Sequence, residues 1–241
     1  MALSSKQVTA LAWHSIAFAS CIYGFKSVHI LPDLLGVSMA DEYGGFMQFL
    51  TMCGLAGTTA TMSLALVLDV IQGPQALLWL KDLLMAASLP TETLITVLYW
   101  SIVMIDKSLL MPPKQIMDPA NPGQVLREEP VAIPFLIDAS MHAFPGVWLL
   151  VDFFVFSRRL PKSIPIVPLA ATVTVSYALW AEKCAKMNGH YPYPLLDILS
   201  TAPRLALYGA SGVVACAVGL TVTKLQASVK GSDAANAKKR R

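Results

Sequence analysis

Six long apolar stretches dominate this sequence of 241 residues and constrain its fold more than any other feature. A helix crosses the hydrocarbon core of a bilayer with about 20 mostly apolar residues. Because lipid offers no partner for backbone polar groups, such stretches are expected to be helices. The sequence therefore predicts an all-α integral membrane protein with six transmembrane helices. The predicted spans are 8–31, 45–70, 83–105, 131–156, 164–184 and 205–225, and Pro90 and Glu92 interrupt the start of the third.

These stretches leave no room for a soluble domain. Hydrophobic residues make up 55% of the chain and charged residues only 14%, as is typical of a membrane protein. We expect residues 1–226 to form one six-helix domain. Residues 227–241 are small, polar and basic, and they are predicted to be a disordered cytosolic tail.

Lysine and arginine are concentrated on one side of the predicted membrane. Cytosolic loops of membrane proteins carry the excess of these residues, so the pattern predicts that both termini face the cytosol. The net charge of +3 reflects this asymmetry and indicates no nucleic acid partner. The cationic side carries Lys6, Lys81, Arg158, Arg159, Lys162, Lys224, Lys230 and the last four residues.

Those last four residues are Lys238-Lys239-Arg240-Arg241. Lysines at the third and fourth positions from the end resemble the dilysine retrieval signal of endoplasmic-reticulum membrane proteins. A basic tail attracted to anionic lipid is the alternative interpretation. The sequence thus predicts a multi-pass protein of the endoplasmic reticulum, with the plasma membrane left open.

No motif of a soluble enzyme is present, neither a nucleophile elbow, nor a zinc-protease helix, nor a phosphate-binding loop. The cysteines have no paired spacing and are expected to pack as small apolar residues. We therefore expect no cofactor and no metal, and a haem between His14 and His142 is the alternative, although their predicted depths in the membrane differ. The cysteines are Cys21, Cys53, Cys184 and Cys216.

His142 lies near the middle of the fourth span, with Asp138 one helical turn before it. An ionisable group at bilayer depth is a functional-site hypothesis by default. Without a metal or cofactor, a buried imidazole most usefully acts as a general base to a hydroxyl. The hydroxyls of the second span are Thr51, Thr58, Thr59, Thr61 and Ser63. Each of them could instead bond its own helix carbonyl, and depth alone leaves both Thr51 and Thr58 in play.

Two charged residues could support such a site. Asp138 could orient the His142 imidazole, or it could form a buried ion pair with another helix. Lys26 is predicted to lie inside the first span, near the depth of Thr51. It could face the cavity and hold an anionic head group or carboxylate, or it could extend to the membrane interface.

An ordered set of residues across five helices resembles the androgen-induced protein family. The resemblance covers roughly residues 20–200, and the set as a whole is specific although no single element is diagnostic. The set comprises Tyr23 and Lys26, Tyr43-Gly44-Gly45, Phe49-Leu50-Thr51, Asp69, Trp100, Asp106, Leu109 and Pro112, Leu136-Ile137-Asp138, Met141-His142, Tyr177 and Trp180, Gly189, Tyr193-Pro194 and Leu196.

The resemblance implies six transmembrane helices and hydrolysis of fatty acid esters of hydroxy fatty acids by a membrane threonine and a histidine. By motif these residues are Thr51 and His142, so the resemblance selects Thr51 among the five hydroxyls. Two features depart from the family. The animal members carry Asn-His where this chain has Asp138-Ala139, and residues 30–41 form an insertion in the first loop.

The sequence therefore predicts a membrane esterase that acts through an acyl-threonine. In this hypothesis Thr51 is the nucleophile, His142 the base, Asp138 the orienting group and Lys26 the substrate-binding cation. The expected partners are a lipid ester substrate and membrane lipid. The alternative is a lipid-binding or transport protein without chemistry, although no inverted repeat is visible to support a transporter.

Overall fold

Most of the chain is helical in the computed structural model, which describes residues 4–35, 39–71, 73–121, 123–129 and 131–239. The longer helices pack side by side, and the short ones lie in the connections between them. The helices are α1 (Ser5–Ser27), α2 (Leu31–Leu35), α3 (Leu50–Val70), α4 (Gln75–Ile105), α5 (Phe135–His142), α6 (Phe144–Val151), α7 (Ile166–Asn188), α8 (Pro194–Ile198) and α9 (Thr201–Lys239).

Four segments are each long and apolar enough to cross a bilayer, and a bent pair of helices could form a fifth span. The prediction of a helical membrane protein is confirmed at this level. Helix α7 has 23 residues but does not reach the same apolarity, so six spans stay a prediction. The four segments are Ser5–Leu34, Leu50–Val70, Gln75–Ile105 and Thr201–Gly231, and the bent pair is Phe135–His142 with Phe144–Phe156.

The fourth predicted span is not one straight helix. Helix α5 ends at His142 and α6 begins at Phe144, with an angle of 47° between the two parts. Pro145 occupies the first turn of α6, where its missing N–H disturbs no helical bond, and this favours a new helix start there. A π-helical turn, Asp152–Phe156, closes the segment. His142 is therefore the last residue of a short helix.

The third predicted span begins earlier than the sequence indicated. Helix α4 starts at Gln75 and continues through Pro90 and Glu92 without a break. A proline inside a helix removes one backbone hydrogen bond, and membrane helices tolerate this when neighbours repack around the gap. Both residues are buried in the bundle, so the interruption read from the sequence was wrong.

Two further features were not predicted. A two-stranded antiparallel hairpin, β1 (Lys114–Met117) with β2 (Val125–Glu129), lies between α4 and α5, so the fold is not purely α-helical. The backbone of α9 continues as helix beyond Ala227 to Lys239, where the sequence predicted a disordered tail. Arg240 and Arg241 lie outside the described residues.

Helix α3 packs between α1 and α4. Two glycines decide how it is placed. Gly44 has φ +88°, a left-handed conformation that permits the turn before α3. Gly54 allows α4 to come close, since a Cβ there would lie 2.8 Å from Oε1 of Glu92. That carboxyl oxygen accepts a hydrogen bond from Thr58 at 3.1 Å. The Thr58–Glu92 bond fixes the register of the two helices in their buried centre.

Candidate functional site

The His142 imidazole is held by two contacts. Its Nδ1 atom lies 2.8 Å from Oδ1 of Asp138, one turn earlier in α5. Its ring stacks face to face on the Tyr99 ring of α4, with centroids 3.5 Å apart and an interplanar angle of 1°. The Tyr99 hydroxyl donates to the same Asp138 oxygen at 2.5 Å. All three side chains are buried, so they form one connected cluster between α4 and α5.

This cluster defines which nitrogen of His142 can act as a base. The atoms near Nδ1 are acceptors, namely the Asp138 carboxylate and the Asp138 carbonyl oxygen at 3.1 Å. A neutral imidazole therefore carries its proton on Nδ1, which leaves the lone pair on Nε2. Among the described residues no hydrogen bond occupies Nε2. The arrangement matches the His–Asp half of a catalytic triad.

The hydroxyl of Thr51 differs from the others on α3. Thr59, Thr61 and Ser63 each donate to the carbonyl four residues before, at 2.6–2.8 Å. Thr58 donates to Glu92. These four hydroxyls are thus committed to structural bonds. Thr51 is in the first turn of α3 and makes no such bond to a helix carbonyl in the described part of the chain.

The turn that leads into Thr51 is held by α7. Asn188 bonds both backbone polar groups of Tyr43, at 2.8 and 3.1 Å. Trp180 donates from Nε1 to the Met47 carbonyl at 2.9 Å. The Tyr177 hydroxyl donates to the Gln48 carbonyl at 3.2 Å. Several residues of the family pattern therefore act together to position the first turn of α3.

Tyr193 brings a second hydroxyl to Thr51. Its phenol oxygen accepts from the Leu50 N–H at 3.0 Å, and Tyr177 shares that N–H at 3.1 Å. Burial raises the pKa of the Tyr193 phenol, while hydrogen bonds with the hydroxyl and the backbone N–H of Thr51 lower it. The phenol oxygen of Tyr193 therefore lies at the start of α3, next to both Leu50 and Thr51.

Two apolar cavities meet at these groups. The larger one has about 1110 Å³ of empty space, its mouth included, and lies between α4, α7 and α9. The smaller one has about 570 Å³ and lies between α5, the first turn of α3 and the segment after α1. Thr51, Tyr99, Leu110 and Tyr193 line both cavities, whereas His142 lines only the smaller.

The structure thus brings Thr51, His142 and Asp138 to one place. Thr51 and His142 face the smaller cavity together, and no direct hydrogen bond joins them. In the described part of the chain, no group of three or more histidine, cysteine, aspartate or glutamate side chains has an arrangement that could hold a metal ion.

The position expected for Lys26 is corrected. Its side chain is exposed and lines neither cavity. Helical rise gave its depth near Thr51, but depth does not determine the face of a helix. The buried stripe of α1 passes through Cys21, Gly24 and Ser27, and Lys26 points away from it.

A second polar cluster lies at the other end of the bundle. Nδ1 of His14 contacts Asp69 at 2.6 Å, and its Nε2 lies 3.3 Å from Asp152. The Lys81 ammonium contacts Asp152 at 2.8 Å and donates to Ser157 at 2.9 Å. This cluster ties α1, α3 and α4 to the π-helical turn. Because the charged groups of this cluster pair with one another, we assign the cluster a structural role.

Sequence reasoning missed Tyr99 and the role of Tyr193. Tyr193 belongs to the family pattern, but the pattern gives no reason for its place. Tyr99 precedes Trp100 of that pattern by one residue, and its ring meets His142 only because α4 packs on α5. The contact of Tyr99 with Asp138 joins two helices, so it cannot be predicted without knowing how those helices pack.

Comparisons with known proteins give one consistent result. The family model described as FAR-17a/AIG1-like protein matches residues 9–227. A UPF0641 membrane protein of Schizosaccharomyces pombe is 34% identical over 214 residues, which cover 88% of each chain. The androgen-induced gene 1 protein of Homo sapiens is 21% identical over 228 residues, covering 89% of this chain and 87% of the human one. No solved structure matches the chain.

Proposed function

The chain belongs to the FAR-17a/AIG1-like family, and from that premise we propose that it is a membrane-embedded threonine hydrolase. Its substrates are fatty acid esters of hydroxy fatty acids or related lipid esters, the class that the resemblance implies. One observation carries the proposal. A threonine hydroxyl that makes no bond to a helix carbonyl in the described part of the chain lines the same apolar cavity as a histidine oriented by aspartate.

The reaction proceeds in two steps. His142 Nε2 takes the proton of Thr51, directly or through one water, as the threonine oxygen bonds to the ester carbonyl carbon. The carbon–alkoxide bond then breaks, and the alkoxide receives that proton from His142. In the second step a water attacks the acyl-threonine, and its proton returns through His142 to Thr51. Asp138 keeps the imidazole in the required tautomer and stabilises the transient imidazolium.

Tyr193 supplies the charge stabilisation for the tetrahedral intermediate. Its hydroxyl lies beside Thr51, and in this proposal its proton turns to the ester oxygen as negative charge develops there. Its oxygen is polarised by the N–H groups at the start of α3, where the helix dipole favours negative charge. Removal of one fixed donor of this kind typically lowers kcat about 100- to 1000-fold.

The placement in the cell is part of the proposal. The membrane we propose is that of the endoplasmic reticulum, because Lys238-Lys239 resembles the dilysine retrieval signal of its membrane proteins. That signal is read from the cytosol. The lysine and arginine bias supports cytosolic termini, with Thr51 near the opposite face. Tags at each terminus, tested for protease access in sealed microsomes, should be cleaved from outside without detergent.

A fluorophosphonate probe tests the mechanism. We expect the purified protein to be labelled, and Thr51→Ala and His142→Ala each to abolish both labelling and ester hydrolysis. Because nucleophile and base act as a unit, the double variant should lose no more than either single variant. Thr59→Ala is the matched control, because its hydroxyl donates to the Leu55 carbonyl and Thr59 lines neither cavity.

The same experiment separates the two classes of function. A lipid-binding or transport protein without chemistry would not react with the probe. Labelling that survives in Thr51→Ala would assign the reaction to another hydroxyl. Thr58 is the residue to test next, although it bonds Glu92 and is not among the residues that line either cavity.

A further inference from the structure

The two cavities divide the site into a long arm and a short arm. The long arm is the larger cavity, which follows α4 from Ala86 to Ile102. From Ala86 to Tyr99 the helix rises about 20 Å, enough for a long hydrocarbon chain. The short arm is the smaller cavity and contains His142. Thr51 lines both arms. An ester with its carbonyl group at Thr51 therefore has one hydrocarbon part in each arm.

The position of His142 decides which part lies in which arm. The general base that activates the nucleophile next delivers that proton to the leaving alkoxide. The alkoxide oxygen must therefore face His142, and the alcohol must continue into the arm that His142 lines. The carbonyl carbon bonds to the Thr51 oxygen. The acyl chain therefore occupies the other arm, which His142 does not line.

We propose that the long arm between α4, α7 and α9 is the acyl-chain subsite and that the short arm holds the alcohol. This assignment rests on the proposed hydrolase function and goes beyond it by naming what determines chain specificity. The depth of the long arm sets the preferred acyl length. Its far end is lined by small or short residues, including Ala86, Ala87, Ala170 and Ala215, which leave room for the chain terminus.

A phenylalanine side chain in the far end would overlap the last methylenes of a long acyl chain, and overpacking of this kind typically weakens binding by a factor of about 5 to 150. Filling the far end should therefore penalise long acyl chains selectively. Ala215 is buried on α9 and lines the long arm, and Ala217 on the same helix is exposed and lines neither arm. The two positions allow the same substitution inside and outside the subsite.

The test uses two ester series. One is nitrophenyl esters from butyrate to palmitate, which vary the acyl chain with a constant leaving group. The other is acetate esters of linear alcohols, which vary the leaving group alone. In Ala215→Phe, the palmitate-to-butyrate ratio of kcat/KM should fall by a factor of about 5 to 150. The ratio of long to short alcohols should not change, and Ala217→Phe should keep both ratios of the unchanged protein.

Two other variants check that a change in chain preference comes neither from misfolding nor from the opposite assignment of the two arms. Ala170→Leu narrows the same arm from α7 and should also shift preference to shorter acyl chains. Ile133→Trp narrows the short arm and should act on the alcohol series instead. If Ala215→Phe lowers turnover of long alcohols, or of both series equally, the assignment is wrong. Hydrolysis that is unaffected by Thr51→Ala would remove the proposed function and this assignment with it.

Discussion

At the scale of single residues, two contacts made by Tyr99 can be separated by substitution. Tyr99→Phe keeps the ring on His142 and removes the hydrogen bond to Asp138, whereas Tyr99→Leu removes both. A hydrogen bond to a charged group is worth about 1.5–3 kcal/mol, so we expect kcat to fall about 10- to 100-fold in Tyr99→Phe. Tyr99→Leu should lose more, because an aromatic face also stabilises imidazolium.

The measurement is kcat for a nitrophenyl ester in mixed micelles, beside thermal unfolding of each variant. If Tyr99 were only a packing residue, Tyr99→Phe would keep full activity. Equal loss of activity in both variants would show that the ring stack contributes nothing.

Tyr193 gives a second prediction at this scale. Tyr193→Phe removes the donor beside Thr51 and should lower kcat about 100-fold or more with little change in KM, as expected for loss of a transition-state donor. Tyr177→Phe is the matched comparison. Tyr177 bonds the same Leu50 N–H, but its proton is committed to the Gln48 carbonyl, so its effect on kcat should be much smaller.

The sequence identifies some of these residues and not others, for a physical reason. His142 and Asp138 are one helical turn apart, so local geometry places them together. Thr51 was selected by the resemblance, because depth and residue type did not distinguish it from Thr58. Tyr99 and the exposed face of Lys26 depend on how whole helices are rotated and paired, which no local pattern encodes.

At the scale of elements, the turn before α3 should limit both stability and activity. Gly44→Ala places a Cβ in the left-handed region and within 2.8 Å of the Cys184 sulfur. Strain and overpacking together should lower the free energy of unfolding by about 2–5 kcal/mol. Gly123→Ala is the control, because Gly123 also has positive φ but would meet nothing within 4 Å. It should lose only about 1–2 kcal/mol.

The free energy of unfolding of both variants is measured in mixed micelles with an increasing fraction of denaturing detergent. Equal destabilisation would mean that the Cys184 contact has no effect. Ester hydrolysis should fall in Gly44→Ala even where the protein stays folded, because the turn positions Thr51. Full activity in the folded fraction would contradict that role.

The elements also show where hydropathy predicts well. Apolar length locates α1, α3, α4 and α9 along the chain, because burial in lipid depends on composition averaged over many positions. It does not place the break at Ala143 or the start of α4, which depend on proline position and on tertiary packing. The hairpin in the α4–α5 connection has short, exposed strands that give almost no periodic signal.

At the scale of the whole molecule, the polar cluster at the end opposite His142 should control stability. Asp152 is fully buried, and Lys81→Met would remove its closest cation. Breaking a buried pair by removing one partner typically lowers the free energy of unfolding by about 3–5 kcal/mol. Adding Asp152→Leu should restore part of this loss, because no buried charge then lacks its partner.

The exposed Arg127–Glu129 pair of the hairpin provides the comparison. Arg127→Gln should change the free energy of unfolding by less than about 1 kcal/mol. Lys81→Met with unchanged unfolding would show that His14 and Ser157 alone satisfy Asp152. Loss of hydrolysis in a fully stable Lys81→Met would instead connect this distant cluster to the reaction.

The outer faces of α7 and α9 carry a row of exposed apolar side chains, including Val175, Leu179, Val213 and Leu220. These two helices are also a wall of the long arm, so a hydrocarbon chain has only one layer of protein between its subsite and the bilayer. For a substrate dissolved in lipid, the relevant concentration is then its mole fraction in the membrane. Adding inert lipid at constant total ester should slow turnover by surface dilution, whereas adding buffer should leave the rate per vesicle unchanged.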